Sequence, residues 1–189
     1  MRLIISLSLI CLIGFPNPIS ASTSAGEKAS STAFGDGVMV IGEDPYDFEH
    51  TIPINGTITI NVNNKGDRGS PLQNIDEVDV EAKFTTETGN YQVVIQNPML
   101  GDLEGRNPTW FGVGYEKRMH GNTNTRTKKL PEVEPAIAIW GWADVYKDGE
   151  LLISRAPAHV KVIDESNLSG ITLEVIHTIP QSPCIKFII

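Results

Sequence analysis

Apolar and polar residues alternate along much of this chain. Ile52, Ile54, Gly56, Ile58, Ile60 and Val62 share one parity, and Thr51, Pro53, Asn55, Thr57, Thr59 and Asn61 share the other. Successive side chains of a strand point to opposite faces, so this period of two predicts a half-buried strand or a bent pair of strands. Pro53 has no N–H to give a ladder, which puts it at an edge or a weakly paired position. Val78, Val80, Ala82 and Phe84 repeat the pattern against Asp79, Glu81 and Lys83. Tyr91, Val93 and Ile95 repeat it against Gln92 and Gln96. Further strands are expected at 158–163, 171–179 and 185–189.

The most specific local signal is a hairpin. A β-rich run from Ala136 to Tyr146 ends in Lys147-Asp148-Gly149-Glu150. Asp-Gly supplies the positive φ angles that a two-residue type I′ turn needs. Symmetry about that turn sets Lys147 opposite Glu150, Tyr146 opposite Leu151, Val145 opposite Leu152 and Trp142 opposite Arg155. The last pair brings a cation within reach of an indole.

Breakers fall between these runs at 63–66, 88–90 and 165–170, and no stretch of ten or more residues carries helical periodicity. Short strands separated by turns predict an all-β chain of about eight or nine strands. The expected architecture is a single β-sandwich, immunoglobulin-like or jelly-roll-like, over residues 34–189. The Cys–Trp–Cys core of immunoglobulin domains is missing, so the likeness is architectural only. Residues 22–33, rich in Ser, Thr, Ala and Gly, are expected to form a flexible leader. Residues 104–135 break the strand rhythm, with one strand-like piece from Trp110 to Tyr115. Long irregular connections in compact domains are uncommon and are usually functional or disordered.

The start of the chain changes the picture of where it works. Met1-Arg2 is followed by an apolar run from Leu3 to Phe15, then by a small, polar stretch. That layout predicts a signal peptide over residues 1–21, and hence an exported protein, periplasmic or extracellular. The run is too short for a membrane span, which needs about 20 apolar residues. No transmembrane span is expected after it. The formal net charge of −8 argues against nucleic-acid binding, which calls for a basic face. Of the two cysteines, Cys11 lies in the signal, so Cys184 has no partner for an intramolecular disulfide. The fold must then rest on its packed core.

Candidate chemistry concentrates in the long connection. It holds Arg106, Lys117, Arg118, Arg126, Lys128 and Lys129, six of the chain's 15 Lys and Arg residues, together with Trp110, Phe111, Tyr115 and His120. Aromatic faces stack on apolar or sugar surfaces, and Arg pairs bidentately with carboxylate or phosphate. Trp110, Tyr115, Arg118, His120, Arg126, Lys128 and Lys129 are therefore the candidate binding residues, for a protein partner or a glycan or anionic one. The competing reading makes the aromatics core and the charges a solvated loop.

Elsewhere the signals are bland. His177 shares a parity with Ile171, Leu173 and Val175 and is expected to point inward. His159 and His177 together make half of a zinc site. Met119-His120 is a weak soft-metal pair, and Glu43, Asp44, Asp47 and Glu49 match no calcium-loop spacing. No metal site and no cofactor is expected. The nucleophile-elbow, zincin and phosphate-loop motifs are missing, so no catalytic residue is assigned.

The expectation is an exported, non-catalytic β-sandwich that acts by binding. Two alternatives stand beside it. One is a carbohydrate-active or other hydrolase on a jelly-roll scaffold. The other is a structural accessory subunit of an envelope assembly, which would use the last strand, Ile185 to Ile189, as an exposed edge.

Overall fold

A computed structural model describes residues 27–42, 51–65, 76–99, 112–123, 131–165, 168–175 and 184–188. They form nine strands and no helix. The strands are β1 (Glu27–Gly42), β2 (Thr51–Asn64), β3 (Glu77–Thr86), β4 (Gly89–Pro98), β5 (Gly112–Gly114), β6 (Ile137–Lys147), β7 (Glu150–Glu165), β8 (Leu168–Val175) and β9 (Cys184–Ile188). No helix among these residues is long and apolar enough to cross a membrane.

The strands make one antiparallel sheet, not the two layers expected from the sequence. β4 pairs with β3 on one side and β6 on the other, and β9 pairs with β8 and β1. The order β1-β2-β3-β4-β6-β7-β8-β9 thus leads back to β1, and the sheet curls into a nearly closed barrel. β5 continues the row of β4, pairing with β6 at Ala138–Trp140 while β4 takes Gly141–Lys147. Most strands pair with their neighbours in sequence, so each tight turn pins the next pairing. The closing pairs are nonlocal, and alternation alone cannot reveal them.

The alternating residues fill the interior. Ile54, Ile58, Ile60 and Val62 of β2, Val78, Val80, Ala82 and Phe84 of β3, and Tyr91, Val93 and Ile95 of β4 are all buried in one cluster. An eight-stranded barrel is just wide enough for side chains to fill. Asp79, Glu81 and Lys83 are exposed as expected. Pro53 lies where β2 pairs with β1 alone, since pairing with β3 begins at Asn55. Gly56 is required by close approach. A Cβ there would lie 2.1 Å from the Lys83 carbonyl oxygen and 2.7 Å from the Phe84 ring.

Three expectations need correction. Residues 27–33, placed in the flexible leader, run as the first part of β1, paired to β2 from Glu27↔Asn64 onward. Their small residues hide the pattern, yet Ala33 is buried in the core and Ala29 packs against it. The last strand is not an exposed edge, because β9 is held between β1 and β8.

The third correction concerns the β6–β7 hairpin. It has the expected turn, with φ of 51° at Asp148 and 85° at Gly149. Lys147 faces Glu150 and Tyr146 faces Leu151. Beyond them the register slips through two bulges. Val145 meets Ile153 rather than Leu152, and Trp142 meets Pro157 rather than Arg155. The slip is anchored by Asp144, whose Oδ1 accepts from Arg155 N (2.8 Å) and Ser154 Oγ (3.1 Å), with Arg155 at a φ of 52°. A bulge inserts an unpaired residue and increases the local twist. The Arg155 guanidinium still lies 5.3 Å from the centre of the Trp142 ring.

Candidate functional site

The run Ile137-Ala138-Ile139-Trp140 of β6 is buried on both faces. Ile137 and Ile139 point into the barrel, and Ala138 and Trp140 point out. The outward pair is covered by the long connection. Met99, Met119 and Val133 pack there with Ala138, Trp140 and Ile163 as a second apolar cluster, with Trp142 at its margin. Backbone bonds fix this cover. Met119 and Val133 exchange N–H···O bonds of 2.9 and 3.0 Å, Glu116 N donates to Pro135 O, and Met99 N donates to Trp140 O. The two limbs of the connection, 116–123 and 131–135, thus form a strap tied across the barrel wall.

One turn of the strap reaches into the wall. His120 has a φ of 68° and Gly121 one of 53°. The Thr123 N–H and hydroxyl both donate to the His120 carbonyl. A positive φ is uncommon for a non-glycine residue and persists only where its surroundings hold it. Here they hold the imidazole against β7. Its Nε2 lies 2.9 Å from Lys161 Nζ, and Lys161 Nζ lies 3.5 Å from Glu174 Oε1. All three side chains are buried, with Lys161 1% exposed. Beside them His159, fully buried, stacks on Trp140 with ring centres 4.6 Å apart and planes at 17°.

Strand register explains why these residues meet. Trp140 faces His159 across β6–β7, and His159 faces Glu174 across β7–β8. Lys161, two residues along, faces Ala138 and Thr172. The small Ala138 leaves room for His120 to reach the ammonium. An ammonium only donates, so a charged Lys161 requires Nε2 to accept and the imidazole proton to sit on Nδ1. The cluster thus combines an amine, a carboxyl group and an imidazole. Burying an opposed pair is tolerable where hydrogen bonds complete it, whereas one buried charge alone is costly.

The candidate residues fall into different places. His120 is in this cluster. Arg118 is exposed on the strap and pairs with Glu132 and Glu134. Tyr115 belongs to the barrel core, and its hydroxyl donates to Glu27 O at 3.1 Å. Burial pushes its phenol up to about 12, the charges of Glu27 and Asp76 push the same way, and a backbone hydrogen bond from Asn64 opposes them. Buried Asp76 ties the same end together, its carboxylate accepting from Lys65 N and Val113 N. Trp110, Arg126, Lys128 and Lys129 lie outside the described residues, as do residues 1–26, the acidic 43–50 stretch and His177. Among the described residues, no group of three or more His, Cys, Asp or Glu is arranged to hold a metal ion.

Lys161 and Glu174 were not among the residues the sequence singled out. Their alternation with Val160, Val162, Leu173 and Val175 looks like an ordinary solvated outer face. The available signal lay one strand away. An unbroken apolar run such as 137–140 marks a strand covered on both sides. Its neighbour on the same wall is then covered too. Comparison with known proteins finds no matching family model, no similar curated protein and no similar solved structure.

Proposed function

We propose that the protein is an exported, non-catalytic binding module that meets an anionic or sugar-like partner through the 104–135 connection. The construction of the strap's base carries this reading. Three ionisable side chains, His120, Lys161 and Glu174, are buried to hold the connection against the barrel. Such groups contribute more to fixing one arrangement than to net stability. A fixed base fits a connection whose sequence carries the cations Arg126, Lys128 and Lys129. Export follows from the signal-like residues 1–21. The cluster's burial suits a latch better than a catalytic centre.

Titration calorimetry with a uronic-acid polysaccharide, at low and at physiological salt, tests the proposal. The wild-type chain is expected to bind, more weakly as salt screens the charges. Changing Arg126, Lys128 and Lys129 together to Glu is expected to weaken binding at least tenfold, in line with about 1.4 kcal/mol per decade. Equal binding by both chains would overturn the assignment to this connection. Export is checked separately by the mass of the protein recovered from a periplasmic fraction, which should lack the first 21 or so residues.

A further inference from the structure

The contact that holds the strap to the wall depends on a proton count. His120 Nε2 and Lys161 Nζ stand 2.9 Å apart in a buried site, and one of the two nitrogens must accept. An ammonium beside a neutral imidazole meets that need, because the ammonium donates to the ring. An ordinary lysine keeps its proton to about four pH units above an ordinary histidine, so this is the arrangement expected near neutral pH. A second proton removes the acceptor. Ammonium and imidazolium both only donate, and two cations at this distance repel. Among the described residues, the groups around the ring come from three strands and the strap. β7 brings Lys161 and, beside it, His159. β8 brings Glu174, whose Oε1 lies 3.5 Å from the Lys161 amine. β6 brings the uncharged Trp140, stacked on His159. Arg118, Glu132 and Glu134 of the strap pair with one another on its exposed side. Against two cations this set offers one buried carboxyl group.

His120 moves with both limbs of the strap. Met119, its neighbour in the chain, exchanges backbone bonds with Val133 of the other limb. Gly121 lies so close to that limb that a Cβ there would be 3.1 Å from the Glu132 backbone nitrogen. The φ of 68° at His120 persists only while its surroundings hold the ring in place. We infer that the strap is a proton-operated clasp: in mild acid His120 takes up a proton, leaves Lys161 and lifts the strap from β6 and β7, uncovering Ala138 and Trp140. A histidine released to water takes its proton near pH 6.5 in the ordinary case, so small changes around neutrality suffice. The sign follows from linkage. The open strap binds a proton that the closed strap excludes. Closure is therefore at full strength above about pH 6.5 and weakens by about tenfold for each pH unit below it.

Amide exchange of the full chain, corrected for the intrinsic effect of pH, tests this with no partner present. A failed polysaccharide titration therefore leaves it standing. Protection at Met119 and Val133 is expected to fall on the order of thirtyfold from about pH 6.5 to about pH 5, while that of Val80 and Ala82 in β3 changes by less than about twofold. His120→Gln takes up no proton in this range and should lose the slope. His159→Gln, on the same wall, should keep it. His120→Gln also separates the ring from Glu174, whose protonation would act in the same direction. Equal strap protection at both pH values overturns the inference, as does a slope that survives in His120→Gln or vanishes in His159→Gln instead. Should His120→Gln fail to fold, the nitrogen chemical shifts of the His120 ring in the wild-type chain decide. A neutral ring in the closed strap at about pH 5.5 supports the clasp, and an imidazolium under a strap still protected at Met119 overturns it.

Discussion

Two walls of this barrel carry the same alternation and meet opposite fates. On β3 the inward residues Val78, Val80, Ala82 and Phe84 are buried, and the outward Asp79, Glu81 and Lys83 lie in solvent. On β7 the inward Ala158, Val160 and Val162 are likewise buried, yet the outward His159 and Lys161 are buried as well. The difference comes from a segment distant in sequence. Among the described residues, the strap packs on β6 and β7. A charged residue on a covered wall must find partners, and Lys161 finds Glu174 and His120. Lys83 pairs with Glu81 at the surface (2.8 Å), where the pair contributes little.

The sharpest way to break this comparison is to remove one member of the buried pair. Lys161→Ala or Glu174→Ala is expected to destabilise the fold by about 3–5 kcal/mol, since each takes an opposite charge away from a buried one. Denaturant unfolding checks this. Changing both, as Lys161→Met with Glu174→Leu, should recover most of the loss, and Lys83→Ala on the open wall should cost about 0.5 kcal/mol or less. Next in size is the interior shared by both walls. Ile60→Ala, at a fully buried site, is expected to cost about 3 kcal/mol, against near-neutrality for exposed Thr57→Ala.

His120→Ala removes the latch but neither charge. A loss of about 1–3 kcal/mol is expected from the buried hydrogen bond and packing given up. Its distinguishing sign is faster amide exchange at 116–123 with β3 unchanged. If β3 loosens equally, the strap is not a separate unit.

A smaller, pH-dependent effect belongs to Tyr115. Burial favours its neutral phenol, so the folded chain keeps that proton to about pH 12, whereas an unfolded tyrosine releases it near 10. The unfolded state then binds fewer protons across that window. The stabilisation is complete below about pH 10 and is lost as pH rises toward 12. Ultraviolet titration should show a late-titrating phenol that disappears in Tyr115→Phe. The smallest effect is expected at Arg118, whose pairs with Glu132 and Glu134 are exposed. Arg118→Ala should cost no more than about 1 kcal/mol.

Legibility in the sequence followed the range of the interactions. The alternation at 52–62, 78–84 and 91–95 identified which side chains fill the interior, because a strand's two faces are set by backbone geometry. Asp148-Gly149 identified the turn, because few residues accept positive φ. The same reasoning missed the register slip beyond Tyr146, which depends on Asp144 gripping the Arg155 amide across the hairpin. It also missed the strand at 27–33, whose inward residues are too small to stand out. Of the candidate site, His120 was legible as a residue but not in its role. Lys161 and Glu174 were illegible, since nothing local distinguishes a covered outer face from a solvated one.

By itself, then, the sequence determined that this chain is all-β, which residues face inward along its strands, and where one hairpin turns. These follow from period, turn chemistry and φ preference, which act over a few residues. Only the tertiary structure decided that the strands close into one barrel-like sheet instead of two layers, and that a histidine, a lysine and a glutamate meet in its covered side. Those outcomes depend on contacts between residues far apart in the chain, β1 with β9, β4 with β6, and the strap with β7. Their energies come from burial and charge pairing that exist only once the segments have been brought together.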